Sequence, residues 1–272
     1  MLKQTTRSSQ TFIVQRWREG ELSEASDQLA EEVPIALVYN GVSHAVMLAT
    51  PKDLEDFALG FSLTEGILQD KSELYDIEVQ QQADGIELHI EIASERFAQL
   101  KVRRRNMAGR TACGLCGAES LQQVFRLPDD HYNVQKSTCQ PLSRQSVFKA
   151  HQEMRTKQYL QNETGATHAC AWVDEDGNIA YLREDVGRHN ALDKLLGTLK
   201  KNDVHGGFIL TSSRASYEMV QKVVMADFNV LVAISAPTGL AVRIAEKYGL
   251  TLLGFVREQQ YVAYSHTDRI VE

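Results

Sequence analysis

The chain has 272 residues, 43% of them hydrophobic and 24% charged, with a formal net charge of -7. That length can bury a large core and suits two domains, while the negative balance argues against a general nucleic-acid binder, whose affinity comes mainly from phosphate neutralisation. No apolar run approaches the roughly 20 residues of a membrane span, residues 1–18 lack the apolar core of a signal peptide, and four cysteines are too few for a disulfide framework; we expect a soluble cytoplasmic protein with no membrane or nucleic-acid partner.

Residues 1–30 are polar without a sustained period and read as a flexible N-terminal arm. From Val33 the pattern sharpens. Residues 33–38 and 43–48 are β-rich runs around Asn40-Gly41, the strongest short hairpin signal. Thr50-Pro51 predicts a helix start, and Leu54, Phe57, Ala58 and Phe61 form one apolar face. A second hairpin is expected over 77–81 and 86–92, turned at Ala83-Asp84-Gly85, with Ile86, Leu88, Ile90 and Ile92 facing a core. These elements and the cysteine segment behind them make an α+β domain over 31–142. Residues 127–141 read as irregular connection, and 143–160 as a helix.

From Gly165 strands alternate with helices. The strands are 169–173, 179–182, 207–210, 230–234 and 250–255. Apolar stripes run through Leu192, Leu195, Leu196 and Leu199, and through Ala241, Ile244, Ala245 and Tyr248. A third helix over 217–226 is apolar on more than one side. The alternation predicts an α/β domain over 143–272 with a largely parallel sheet under helices.

The densest chemistry lies in Cys113-Gly114-Leu115-Cys116-Gly117, entered through Arg103-Arg104-Arg105 and Gly109-Arg110-Thr111. Two thiols at this spacing can bind a metal, cycle through a disulfide or pass sulfur. The glycines imply a mobile backbone, and the cations favour the nucleophilic thiolate. Structural zinc needs four ligands, and Cys139 and Cys170 are isolated. His89-Ile90-Glu91 matches the deaminase His-x-Glu, but it falls in a strand's alternation with both side chains on the polar face. A thioredoxin-type cycle expects a helix N-terminus, where here the glycines suggest a loop.

Three further constellations sit between a strand and a helix: Glu184-Asp185-Val186-Gly187-Arg188-His189, Thr211-Ser212-Ser213-Arg214-Ala215-Ser216 and Ser235-Ala236-Pro237-Thr238-Gly239. Junctions at the carboxyl ends of strands would share one sheet edge, where open α/β sheets bind ligands, and their helix N-termini suit anions. Singly, each Ser or Thr is an ordinary helix cap.

Taken together, these segments resemble the FdhD family. The similarity runs through Glu31-Glu32-Val33-Pro34, Phe57-Ala58-Leu59-Gly60-Phe61, Glu65-Gly66, the glycine-rich cysteine segment and Thr167-His168-Ala169. It continues in Glu184 to His189, Ala191-Leu192-Asp193-Lys194, Thr211 to Glu218 and Leu252-Leu253-Gly254-Phe255. The resemblance implies a sulfur carrier, a sulfurtransferase needed for formate dehydrogenase activity. It would take persulfide sulfur from a cysteine desulfurase and hand it to the molybdenum or tungsten bis-pterin guanine dinucleotide cofactor. It also implies a homodimer, and a C-terminal three-layer α/β domain resembling the cytidine deaminase fold without its zinc chemistry, beside the smaller α+β domain. The family's persulfide cysteine falls on Cys113, with Cys116 assisting. The cofactor-contacting segment falls on Phe255, Val256, Arg257, Glu258, Gln259 and Gln260, near Arg188 and His189. Where relatives often carry glycine and arginine late in that segment, this chain has Glu258-Gln259-Gln260. The alternatives are a dithiol oxidoreductase or redox sensor, and a non-catalytic cofactor chaperone.

Overall fold

The computed structural model of the protein describes residues 7–107 and 141–272, with 103–107 as backbone alone. Cys113, Cys116, Arg110, Cys139 and the connection expected over 127–140 lie outside the described residues.

Residues 9–30 correct the expectation of an unstructured arm. Strands β1 (Ser9–Arg18) and β2 (Glu21–Ala30) pair antiparallel along their full lengths. Their turn is Glu19-Gly20, both with positive φ (52° and 94°), the backbone of a tight two-residue hairpin. Glu-Gly is a weak turn signal beside Asn-Gly, and Ile13, Trp17 and Leu22 remain 69%, 69% and 63% exposed, so no buried face marks the period. The hairpin base meets a later helix through Ser9 Oγ, which donates to Glu163 Oε1 at 3.2 Å.

The next sheet follows the predicted pattern closely. Strands β3 (Val33–Tyr39) and β4 (Val42–Ala49) form the hairpin about Asn40-Gly41, and β5 (Leu74–Gln82) and β6 (Gly85–Ile92) form the second. The order is β4-β3-β6-β5, with β3 and β6 parallel at its centre. Helix α1 (Leu54–Thr64) covers the sheet, and Phe57, Ile35, Leu37, Leu88 and Ile90 share its core at 0–1% exposure. The helix begins three residues later than Pro51 suggests. Its N-cap is Asp53, in a left-handed conformation at φ 54°, because Thr50 is drawn into a buried network described below. Helix α2 (Ser94–Met107) follows and contains Arg103–Arg105.

The C-terminal half builds a six-stranded sheet ordered β13-β12-β11-β10-β8-β9. Its strands are β8 (His168–Val173), β9 (Ile179–Asp185), β10 (Phe208–Thr211), β11 (Val230–Ala233), β12 (Thr251–Gly254) and β13 (Val262–Ser265). The neighbours β10, β11 and β12 are parallel and β9 runs in the same sense, while β8 and β13 run against their neighbours. The expected largely parallel sheet is therefore mixed. Residues 174–178 are too short for a crossover helix, so β8 and β9 must form a hairpin. Two short strands, β7 (Leu142–Ser143) and β14 (Ile270–Val271), pair separately in parallel.

Helices α5 (Arg188–Lys201), α6 (Tyr217–Met225) and α7 (Gly239–Lys247) pack on one face of the large sheet, against Ile209, Leu231 and Leu252. Helix α3 (Arg144–Lys157) covers the other face, setting Val147, Ala150 and Met154 against Leu210, Val232 and Leu253. The helix expected over 143–160 breaks at Gln158, where α4 (Tyr159–Thr164) starts in a new direction.

Helix α1 crosses α5 with the two backbones close together. A Cβ on Gly60 would strike the Asp193 carbonyl, and one on Gly197 the Asp56 carbonyl, so only hydrogen fits at either position. Around this crossing the charges are buried and paired. Lys222 Nζ reaches Asp193 Oδ2 at 2.9 Å, Thr64 Oγ1 at 2.9 Å and Glu65 Oε1 at 3.0 Å. Lys194 meets Asp185 at 2.7 Å with both side chains fully buried, and Arg183 holds Asp56 at 2.7 Å.

Candidate functional site

The strand directions bring four junctions to one edge. Strand β8 is antiparallel to both β9 and β10, so β9 ends at Asp185 on the side where β10 ends at Thr211, β11 at Ala233 and β12 at Gly254. A cavity of about 910 Å3 opens there, near the top of the roughly 300–1,000 Å3 range of small-molecule sites. Its wall takes Ser212 and Ile234 from the strand ends, Arg257 to Gln260 from the segment after β12, and His168 from the start of β8. Helices α3 and α4 with the turn after them supply His151, Arg155, Gln158, Gln161 and Thr167.

Each wall element has an identifiable anchor. Arg257 Nη1 donates to Ile234 O at 2.6 Å and Val256 O at 2.8 Å, and its N–H donates to Gln260 O at 2.8 Å. This closes 257–260 into a turn that carries a guanidinium. The segment leaves the sheet through Phe255, whose φ of 53° is unusual for a bulky side chain. The opposite wall hangs on Glu184. Its carboxylate accepts from the N–H groups of Leu160 at 2.9 Å and Gln161 at 2.8 Å and from Thr167 Oγ1 at 3.2 Å. An acid at a helix N-terminus is favourable, so Glu184, on the sheet face that carries α3, fixes α4 rather than serving as a ligand group.

Two histidines border the cavity. Burial, then the charges of Arg257 and Arg155, hold His151 below the ordinary histidine range against an opposing pull from Glu258. His168 is likewise lowered by burial and by Arg188 and His189. His151 is 5% exposed, and its Nδ1 is buried without a hydrogen-bond partner among the described residues. An unpaired buried nitrogen is costly, and here it lies in a wall with two arginines.

Of the site residues expected from sequence, Arg257, Glu258, Gln259 and Gln260 line the cavity. Val256 does not: it is fully buried among Val232, Leu253 and their neighbours, the positive φ at Phe255 breaking the alternation that would set it on the other face. Phe255 is 43% exposed and stands at the exit from the sheet. Arg188 and His189 open α5 one layer back and act on the wall through their charge at His168. There His189 Nε2 lies 2.6 Å from Glu218 Oε2, an ion-pair contact off the angle of a hydrogen bond, while Arg188 Nε and Ser216 Oγ are buried without a hydrogen-bond partner among the described residues. Cys113 and Cys116 fall outside the described residues. Cys170 is fully buried, and burial pushes its thiol up to about 12, so it is no nucleophile. His89 pairs with Glu87 at 2.9 Å on the wet face of β6. Among the described residues no group of three His, Cys, Asp or Glu side chains is placed to hold a metal ion, and no helix is long and apolar enough to cross a membrane.

His151, Arg155, Gln158 and Gln161 escaped the sequence reading. One signal was present: His151 interrupts the α3 stripe of Val147, Ala150 and Met154, where a polar side chain has no structural reason to be.

The fold is mixed α/β, with a cavity at the carboxyl edge of its larger sheet. The sequence model of the FdhD/NarQ family matches residues 30–271, and the chain belongs to that family. It is 55% identical over 262 residues to the sulfur carrier protein FdhD of Cupriavidus necator, covering 96% of this chain and 89% of that one. It is 52% identical over 250 residues to the protein of the same name from Variovorax paradoxus, covering 90% and 87%. A crystal structure described as that of a formate dehydrogenase accessory protein from Desulfotalea psychrophila shares the fold, with TM-score 0.74 at 21% identity over 97% of this chain and all of that one.

Proposed function

We propose that the protein is a sulfur carrier acting for formate dehydrogenase. The observation that carries this reading is its identity to proteins named sulfur carriers over nearly the whole chain. In the reaction the Cys113 thiolate attacks the terminal sulfur of a desulfurase persulfide, the donor thiolate leaves, and Cys113 holds the sulfur as its own persulfide. In the second step the S–S bond of that persulfide breaks: the outer sulfur goes to the molybdenum or tungsten of the bis-pterin guanine dinucleotide, which is substrate here and supplies the two electrons that bring it to sulfide level, and Cys113 leaves as its thiolate. Cys116 assists as a relay or by guarding the redox state of the segment.

The division of labour assigns the cysteine segment to residues 31–142 and the cofactor to 143–272, as a homodimer in the cytoplasm. The second part, with helices on both faces of its sheet, is assigned the cytidine deaminase-like fold that the resemblance implies. The cavity suits a nucleotide end of the substrate: arginines for phosphate charge, and Gln158, Gln161 and Gln260 with both donors and acceptors for a base edge. Inert Cys170 supports placing the chemistry on the Cys113–Cys116 pair.

Incubation with a cysteine desulfurase and cysteine, followed by intact-mass measurement, tests the reading. One added sulfur should appear on the wild type and on Cys170→Ala, and be lost in Cys113→Ala together with formate dehydrogenase activation. Full activation by Cys113→Ala would sink the assignment. A dithiol oxidoreductase would instead lose two hydrogens and gain no sulfur.

A further inference from the structure

We propose that His151 couples this cavity to protons: a diphosphate entering between Arg155 and Arg257 accepts a hydrogen bond from the His151 ring, which takes one proton from solvent as the ligand binds. The inference rests on reading the cavity as the site of a nucleotide end, and it adds the residue that senses the charge of the ligand.

Three observations lead to it. The ring borders the cavity yet is 5% exposed, so bulk water does not serve it. Its Nδ1 is buried with no hydrogen-bond partner among the described residues, and such a nitrogen has an unmet demand that a ligand can meet. The charges facing it come from its own helix at Arg155 and from the segment after β12 at Arg257 and Glu258. Two cations against one anion disfavour an imidazolium in the free protein, and burial disfavours it further. A diphosphate reverses that sum, since several negative charges arrive among the arginines and make the imidazolium the favoured form.

The sign follows from linkage. The free ring titrates below its ordinary value of 6.5, and the ligand raises it. Between the free and bound values the complex holds a proton that the free protein lacks, so affinity rises as pH falls through that window. His168 is the other histidine in the wall, but it answers to Arg188 and His189 rather than to Arg155 and Arg257, and it serves as the internal control.

Calorimetric titration of the full chain with GDP and with inorganic pyrophosphate tests this. Runs would span about pH 6 to pH 8, in buffers of low and high ionisation enthalpy. We expect proton uptake in the wild type and an affinity that falls by up to about tenfold per pH unit where the linkage is steepest. His151→Gln should flatten the slope and lose the uptake; His168→Gln should keep both. Proton loss from the ligand itself is common to all three proteins and cancels in the comparison. Equal uptake in wild type and His151→Gln overturns the inference. Pyrophosphate binding with a His151-dependent slope but no preference for GDP leaves the inference standing and removes the nucleotide reading; binding of neither removes both. If His151→Gln fails to fold, an NMR titration of the wild-type histidines gives the same answer. One ring should move to its protonated shift on adding pyrophosphate, and no such movement overturns the claim.

Discussion

The α1–α5 crossing and the carboxyl edge of the large sheet both take polar groups out of water, and they treat them in opposite ways. At the crossing every buried charge has its partner. Asp185 accepts from the Thr50 and Gly187 N–H groups and from Asn190 while pairing with Lys194. Asp193 is held by Lys222 and by Thr64 Oγ1 at 2.7 Å. At the edge His151 Nδ1, Arg188 Nε and Ser216 Oγ have no such partner among the described residues. Buried polar groups are normally matched, so the unmatched ones at this edge are where the proposed ligand would find partners. The same contrast explains Thr50: the sequence offers it as a helix cap, but its N–H, hydroxyl and carbonyl all serve the crossing.

The largest expected effect breaks the closed side of the comparison. Asp193→Ala leaves Lys222, itself 6% exposed, with only Glu65 and Thr64 beside it. Losing one partner of a buried pair costs about 3 kcal/mol or more. Denaturant unfolding should show this, while Asp203→Ala, which removes an exposed partner from Lys71, should barely register. Equal losses in the two variants would mean that burial at the crossing is not what gives the pair its weight. Next is Gly197→Ala. Alanine is the better helix former by about 1 kcal/mol, yet its Cβ falls on the Asp56 carbonyl, a backbone atom that cannot step aside. Forced separation of the helices should outweigh propensity and leave a net loss of roughly 1–3 kcal/mol. A gain in stability would show that the crossing is looser than its geometry implies.

What the sequence made legible follows from which interactions are local. Asn40-Gly41 announces its hairpin because the turn conformation is a property of two residues, and both take positive φ as expected, 44° and 79°. The alternation of Ile86 to Ile92 is likewise written in the chain. The direction of β8 was not, since it depends on the shortness of residues 174–178 and on pairing with β10, a long-range choice. In the site, Arg257 to Gln260 were reached through a family resemblance and the strand-end rule. His151 and Arg155 were hidden because they come from the far face of the sheet on a helix read only for its apolar stripe. Glu184 was seen only as part of a strand-to-helix junction: its contact with α4 depends on that helix packing beside the end of β9, a long-range choice.

The smallest effect sharpens the open side. Phe255 holds φ at 53°, a conformation that costs an ordinary L-residue roughly 1–2 kcal/mol and glycine almost nothing. Its side chain is 43% exposed, so the ring buries too little to explain why the strain persists. The turn at 257–260 explains it instead, because the chain must leave β12 in this direction for Arg257 to reach the Ile234 carbonyl. Removing the side chain while keeping the strain, Phe255→Ala, should therefore destabilise more than Phe255→Gly, which removes both. The gap should be about 1 kcal/mol with glycine the more stable, the reverse of the order these residues show in helices. Glycine also frees the segment to point elsewhere, so the more stable variant should be the weaker binder of pyrophosphate. If alanine proves the more stable of the two, the backbone at 255 is unstrained, and the direction of the 257–260 turn comes from Arg257 alone.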